Sequence, residues 1–254
     1  MQVAAIPAFN DNYIWAIHDN HHLIVVDPGD AAPVIAFIEQ HQLQLTTILV
    51  THHHHDHTGG IQTLCDNYSG ITVYGPAEEN IPNRHVALTD NAQVKIIAPA
   101  CEFNVMHIPG HTLGHIAYYG ASGLFCGDTL FHAGCGRLFE GSPTQMKASL
   151  ERLGALPAET LVFCTHEYTL ANLTFALAVE PDNADINRTL ARCQQLRTEG
   201  TPTLPTTIAE QRQINPFLRS AEPTLQHQAE QWAQQPCKTP VEVFTQLRAW
   251  KDQF

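Results

Sequence analysis

Five histidines and a carboxylate lie within His52-His-His-His-Asp-His57, and no other feature constrains this 254-residue chain as strongly. The run follows Ile48-Leu-Val50, itself preceded by Thr46 and Thr47, and is closed by Gly59-Gly60. Apolar and β-branched residues in so short a run predict a buried strand ending near Thr51, and the glycine pair predicts a turn. If the segment stays extended, His52, His54 and Asp56 point one way and His53 and His55 the other. A turn at Asp56-His57 would bring His57 back to the first side. Imidazoles and a carboxylate grouped in this way suit zinc, iron or manganese. An adventitious histidine tract would have no reason to sit between a core strand and a Gly-Gly turn. The pattern His-x-His-x-Asp-His predicts a metal site.

The same shape, a short strand running into a ligand, recurs three times. Pro109-Gly-His-Thr-Leu-Gly-His115 puts His111 at a strand end and leaves His115 for packing or hydrogen bonding. Leu124-Phe-Cys-Gly-Asp128 carries an apolar strand into an aspartate, which is costly in a core unless paired or coordinated. Leu161-Val-Phe-Cys-Thr-His166 ends in a histidine. The collected set is His52, His54, Asp56, His57, His111, Asp128 and His166. Seven ligands exceed one tetrahedral ion and fit two ions that share a bridge. A carboxylate bridges through its two oxygens and an imidazole does not, so Asp128 is the expected bridge. His52, His54 and His111 then hold one ion, and Asp56, His57 and His166 the other, with a second bridging position open to hydroxide. Asp56 and Asp128 are the catalytic candidates. Asp27, in Val25-Val-Asp-Pro-Gly29, reads equally as a turn residue or as the partner that orients a ligating histidine.

Charge narrows the partners. The formal net charge is -12, from 13 basic and 25 acidic residues, which argues against nucleic acid or an anionic membrane. Residues 1–167 hold five basic and 16 acidic residues, and residues 168–254 hold eight and nine, so an anionic substrate needs a local cluster of cations. No apolar run reaches the roughly 18 residues of a membrane span, and no basic segment precedes Asn10-Asp-Asn12, so no signal peptide is expected. Seven cysteines without a Cys-x-x-Cys pair suit a reduced, cytoplasmic protein. A monomer is expected.

Strands are expected over residues 3–17, 23–26, 71–74, 94–98, 103–108 and 116–119, with a polar turn at His18–His22 and another at Gly120–Gly123. Helices are expected over 32–41, 61–68, from the Ser142-Pro143 cap to Leu153, and then over 168–179, 186–198 and 224–235. Thr239-Pro-Val-Glu242 opens the last helix as a capping box. Residues 75–91 read as loop-rich, and 201–216 as an irregular linker with three prolines. The chain divides into 1–167, bearing the ligands, and a helical 168–254.

The order His-x-His-x-Asp-His, then His, Asp and His at strand ends, resembles the metallo-β-lactamase superfamily. That resemblance implies an αββα sandwich with a binuclear site at one edge. The superfamily alone does not specify a substrate, since it includes lactamases, nucleases, persulfide dioxygenases and thioesterases. Gly127-Asp-Thr-Leu-Phe-His-Ala-Gly-Cys-Gly-Arg137, Thr165-His-Glu-Tyr168, Asn215-Pro-Phe-Leu-Arg219 and Arg248-Ala-Trp-Lys-Asp-Gln-Phe254 are similar to the glyoxalase II (hydroxyacylglutathione hydrolase) family. This second resemblance covers the whole chain, including a C-terminal all-helical domain. It implies hydrolysis of S-D-lactoylglutathione to D-lactate and glutathione, the second step of methylglyoxal detoxification. It also implies two divalent ions, zinc first and iron or manganese otherwise. Arg137, Phe139, Tyr168, Arg248 and Lys251 match its glutathione-binding positions, with phenylalanine at 139 where tyrosine is frequent. Without the resemblance, Arg248 and Lys251 read as solvated surface charge and Tyr168 as a packing aromatic. The alternatives are a glutathione persulfide dioxygenase, which uses one iron, or a metal-binding protein without turnover.

Overall fold

The computed structural model describes residues 1–120 and 122–254, and Cα packing divides the chain into two units. Unit 1 comprises residues 1–108, 113–127 and 163–166; unit 2 comprises 109–112, 128–162 and 167–254.

In unit 1 the first apolar stretch folds back on itself. β1 (Gln2–Ala8) and β2 (Asn12–His18) form an antiparallel hairpin in which Gln2 faces His18 and Ala8 faces Asn12. The single strand expected over residues 3–17 is broken because Phe9 takes a left-handed conformation (φ 52°) and starts a turn. β3 (His22–Val26) pairs antiparallel with β2, and β4 (Gln44–Leu49), β5 (Thr72–Pro76) and β6 (Val86–Leu88) add in parallel. β6 lies in the stretch expected to be loop. Parallel neighbours need crossovers; α1 (Ala31–His41) supplies the one into β4, and the short α2 (His55–Thr58) with α3 (Ile61–Asn67) the one into β5, while residues 77–85 join β5 to β6 without a helix. Asp30 caps α1 by accepting the Ala32 N–H. Val34 and Ile38 of α1 and Ile61 and Leu64 of α3 pack with Leu23, Val25, Ile48 and Val73 into one core.

A second sheet follows, from β7 (Gln93–Ile97), β8 (Ala100–His107), β9 (Ile116–Gly120) and β10 (Gly123–Gly127), all antiparallel. The turn expected at Gly120–Gly123 includes Ala121, which lies outside the described residues. The two sheets meet through large side chains. Trp15 sets its ring edge-on to Phe163 at 4.9 Å and the Tyr118 hydroxyl donates to Val50 O at 2.9 Å, while Phe125 stacks on Phe163 at 4.8 Å within the second sheet.

Unit 2 opens with a two-residue-per-strand hairpin, β11 (Leu130–Phe131) and β12 (Gly134–Cys135). Then come α4 (Pro143–Gly154) and β13 (Leu161–Cys164), whose last two residues belong to unit 1. The remaining elements are α5 (Thr169–Val179), α6 (Ala184–Thr198), β14 (Thr206–Thr207), α7 (Ile208–Ile214), α8 (Pro223–Ala233) and α9 (Pro240–Gln253). Ser142 and Gln145 form the full capping box that starts α4. The linker expected over 201–216 instead contains β14 and α7. Thr207 caps α7 on the Glu210 N–H, and Ile208, Gln211 and Ile214 are buried. Only seven residues fit between the flanking irregular stretches, too few for a visible apolar period.

These helices hold the β11–β12 hairpin in place. Asn172 donates to His132 O at 3.1 Å, Asn215 donates to Gly134 O at 2.9 Å, and Gln211 accepts from the Ala133 N–H at 3.2 Å. His132 Nε2 lies 3.2 Å from Glu210 Oε2. Burial raises the Glu210 pKa, but His132, Thr206 and Arg192 outweigh it and hold the carboxyl at about 2.

Candidate metal centre and cavity

The ligand loop leaves the sheet just after Val50, whose N–H still bonds Tyr74 O at 2.9 Å. His54 keeps an open backbone (φ -57°, ψ 147°), and from His55 the chain closes one helical turn, α2. The segment is therefore extended only to His54, and a helical turn returns His57 to the interior. The turn forms because Thr58 Oγ1 bonds His54 O at 3.0 Å and the Gly59 N–H bonds His55 O at 2.7 Å.

Five of the seven expected ligands lie in unit 1. His52 Nε2 and His54 Nδ1 are 3.1 Å apart. Donor atoms of Asp56, His57 and His166 all fall within 4.8 Å of one another, and Asp56 Oδ2 is 3.5 Å from Nε2 of both histidines. His52, His57 and His166 are buried. In unit 2, His111 Nε2 lies 3.5 Å from Asp128 Oδ2, and both residues are buried. Two ligands of a tetrahedral ion with bonds of about 2.0–2.1 Å sit roughly 3.3 Å apart. The observed 3.1–3.5 Å separations match such an edge. The donors are imidazole nitrogens and carboxylate oxygens, so the residues present fit divalent ions.

Partners outside the ligand set fix the rings. His57 Nδ1 lies 3.0 Å from Asp27 Oδ2, which turns Nε2 toward Asp56. Asp27 also accepts from Thr51 N at 2.8 Å and Thr51 Oγ1 at 2.7 Å, and that hydroxyl lies 3.1 Å from His52 Nδ1. Both readings of Asp27 therefore describe it, since it shapes the turn and orients a histidine. His111 Nδ1 bonds Arg137 O at 2.9 Å. His115 stacks on His52 at 4.6 Å and bonds Ile116 O, the packing role expected for it.

Within unit 2, a cavity of about 480 Å³ is lined by His111, Asp128, Phe131, Cys135, Arg137, Phe139, Tyr168, Arg248 and Lys251, among others. All five residues assigned by resemblance to the glutathione moiety are among them. Phe139 sets its ring edge-on to His111 at 5.2 Å, and Tyr168 does the same to Phe131 at 5.4 Å. Arg248 is not a solvated surface charge. It is buried, donates to Cys135 O at 2.8 Å and Asp252 Oδ1 at 3.1 Å, and lies over the Phe217 ring at 5.0 Å. Lys251 is half-buried, and burial first, then Arg248 and Arg137, lowers its pKa. Arg137 is exposed, with Nε 3.7 Å from Asp252.

Residues 9–166 match the family model described as Metallo-beta-lactamase superfamily, and residues 167–254 match that described as Hydroxyacylglutathione hydrolase C-terminus. A "Hydroxyacylglutathione hydrolase" of Pseudomonas fluorescens is 53% identical over 257 residues, covering 100% of both chains. One of Pseudomonas aeruginosa is 54% identical over 260 residues, again covering 100% of each. The chain belongs to the hydroxyacylglutathione hydrolase family. Both resemblances seen in the sequence are borne out, and so is the fold of two sheets with helices followed by a helical C-terminal region. The fold also matches the crystal structure of ETHE1 from Myxococcus xanthus, with a TM-score of 0.68 over 98% of this chain and 91% of that one. At 22% identity this likeness speaks for the fold alone.

Against this family background, three polar side chains near the ligands or the cavity had no signal in the local sequence. Asp11 Oδ1 lies 2.8 Å from His166 Nδ1, and Asn12 Nδ2 donates to Asp56 Oδ2 at 3.0 Å. Asp252 joins Arg248 to Arg137. Asn10-Asp-Asn12 marked only the end of an apolar start, because nothing nearby says that its partner lies 155 positions away.

Proposed function

We propose that this chain hydrolyses S-D-lactoylglutathione, or a related 2-hydroxyacylglutathione, to the hydroxy acid and glutathione, with zinc as the first candidate for two bound ions. The observation that carries this reading is the cavity, whose lining includes two ligand side chains, His111 and Asp128, together with three cations, Arg137, Arg248 and Lys251. In the assignment we favour, His52, His54 and His111 would hold one ion and Asp56, His57 and His166 the other, with Asp128 as the carboxylate available to both. When bound, the ions supply a water of lowered pKa and a Lewis acid for the thioester oxygen.

The remaining work falls to the chain. Arg137, Arg248 and Lys251 offset the carboxylates of glutathione and hold the acyl end toward His111 and Asp128. Phe139 and Tyr168 present apolar faces to the thioester arm, and Phe139 contributes no hydroxyl. The leaving group is a thiolate whose parent thiol has a pKa of about 8.5, so no strong general acid is required. A cytoplasmic, monomeric enzyme is part of the same proposal. Among the described residues no helix is long and apolar enough to cross a membrane. The test is thioester hydrolysis measured with metal content. Turnover should vanish on chelation and return with added zinc; an intact rate in metal-free protein, or oxygen uptake in place of hydrolysis, would discard the reading.

Lys251 separates recognition from chemistry better than Arg248 does, because Arg248→Ala also removes the bonds to Cys135 and Asp252. A contact to a remote carboxylate is equal in ground and transition states, so its loss raises KM and spares kcat. Lys251→Ala should raise KM by about tenfold, within the range for a lost hydrogen bond to a charged group. The penalty should shrink in high salt and disappear for a thioester without glutathione carboxylates. A fall confined to kcat would remove Lys251 from the binding set.

A further inference from the structure

We propose that the tip of the β1–β2 hairpin, through Asp11 and Asn12, is a positioning device for one ion site only, that of Asp56, His57 and His166. The inference rests on the two-ion reading above and goes beyond it, because it assigns the two sites separate supports.

The hairpin tip is tied to the end of β13 by two hydrogen bonds, the first of which closes an isolated antiparallel bridge. The Tyr13 N–H donates to Thr165 O at 2.7 Å, within the bridge of Asn12 with His166, and Trp15 Nε1 donates to Cys164 O at 3.1 Å. Residues 12–15 thus run along 164–166, and β1, paired to β2 over seven positions, stiffens the tip from behind. This backbone clamp sets where the Asp11 and Asn12 side chains can reach.

Their contacts are selective. The Asp11 carboxylate accepts from His166 Nδ1–H at 2.8 Å, which fixes the tautomer and leaves the Nε2 lone pair for an ion. That Nε2 is the atom 3.5 Å from Asp56 Oδ2. Asn12 donates its amide to the same Asp56 oxygen at 3.0 Å and fixes the carboxylate's rotation. Neither side chain bonds to any other ligand among the described residues. Asp27 behaves differently, since it serves His57 directly and His52 through the Thr51 hydroxyl. Asp27 therefore supports both ligand groups, whereas Asp11 and Asn12 support one.

The outcome to look for is a split in the affinities for two zinc ions. Metal-free wild type, D11N, D11A, N12A and D27N would be titrated with Zn²⁺ against a chromophoric chelator, and bound metal counted by elemental analysis. Losing such an outer partner typically weakens metal binding by 10–100-fold. D11A and N12A should show that loss for one ion and wild-type affinity for the other. D11N, which keeps an acceptor without the charge, should fall between wild type and D11A. D27N should weaken both ions. Melting of the metal-free proteins checks that each variant is folded, and D11E should restore part of the loss. Parallel weakening of both ions in D11A, or no change in either, overturns the inference and leaves the two-ion reading standing. A wild type that takes up a single ion overturns the two-ion reading itself.

Discussion

Asp128→Asn should lower turnover by about three orders of magnitude, roughly 4 kcal/mol of transition-state stabilisation, and should loosen both ions together. Asparagine keeps the size of the side chain and one oxygen but cannot offer two anionic donors. Asp128 is buried, and its Oδ2 lies 3.5 Å from His111 Nε2. It is the carboxylate we assign to both ions, so its loss should affect each of them. The backbone around it is tightly set, because a Cβ on Gly136 would stand 1.9 Å from Asp128 O. The variant should therefore keep its backbone, and circular dichroism would verify that before metal and rate are measured. Two ions per chain with near-normal turnover would sink the bridging assignment.

Gly29→Ala should unseat the ligand loop from outside the ligand set. A Cβ at Gly29 would lie 1.8 Å from Asp56 O and 2.3 Å from Asp56 C, both backbone atoms that no rotamer change can move aside. The whole α2 turn would have to shift, carrying Asp56 and His57 away from His166. Overpacking of this kind costs about 1–3 kcal/mol, and in a chain of this size each kcal/mol lowers Tm by roughly 2–4 °C. We expect a Tm lower by about 6–12 °C at the upper end of that cost, with weakened binding at the Asp56–His57–His166 site. Gly70→Ala is the control. Nothing lies within 4 Å of its Cβ position, so only its left-handed backbone (φ 80°) is penalised, by about 1 kcal/mol. Metal binding in that variant should be unchanged. If Gly29→Ala binds both ions like wild type, the loop tolerates displacement and the close approach has no functional weight.

Different parts of this molecule were legible at different ranges. His52, His54, Asp56 and His57 stand out because four candidate ligands lie within six positions beside an apolar strand. Ser142-Pro143 and Thr239-Pro240 announce helices because capping is a contact between neighbours in the chain. α7 stayed hidden because its seven residues are shorter than two turns and lie among prolines. The hairpin tip at Phe9 reads through as strand, although Asn10-Asp-Asn12 are turn-forming residues, because phenylalanine rarely takes the left-handed backbone that starts this turn.

Sequence alone pointed to candidate ligands, through residue types at countable spacings and strand ends, and carried the family resemblance, which implies the kind of substrate. Only the tertiary structure decided which side chains support those ligands and how. Asp11 meets His166 across 155 positions, Asn12 meets Asp56 across 44, and Arg248 is buried against Cys135 across 113. Gly29 matters for its distance to Asp56 O rather than for its own backbone angles. Such contacts exist only after the sheets have formed and brought distant loops together. Their physical basis is close approach and hydrogen bonding through space, and neither leaves a periodic trace along the chain.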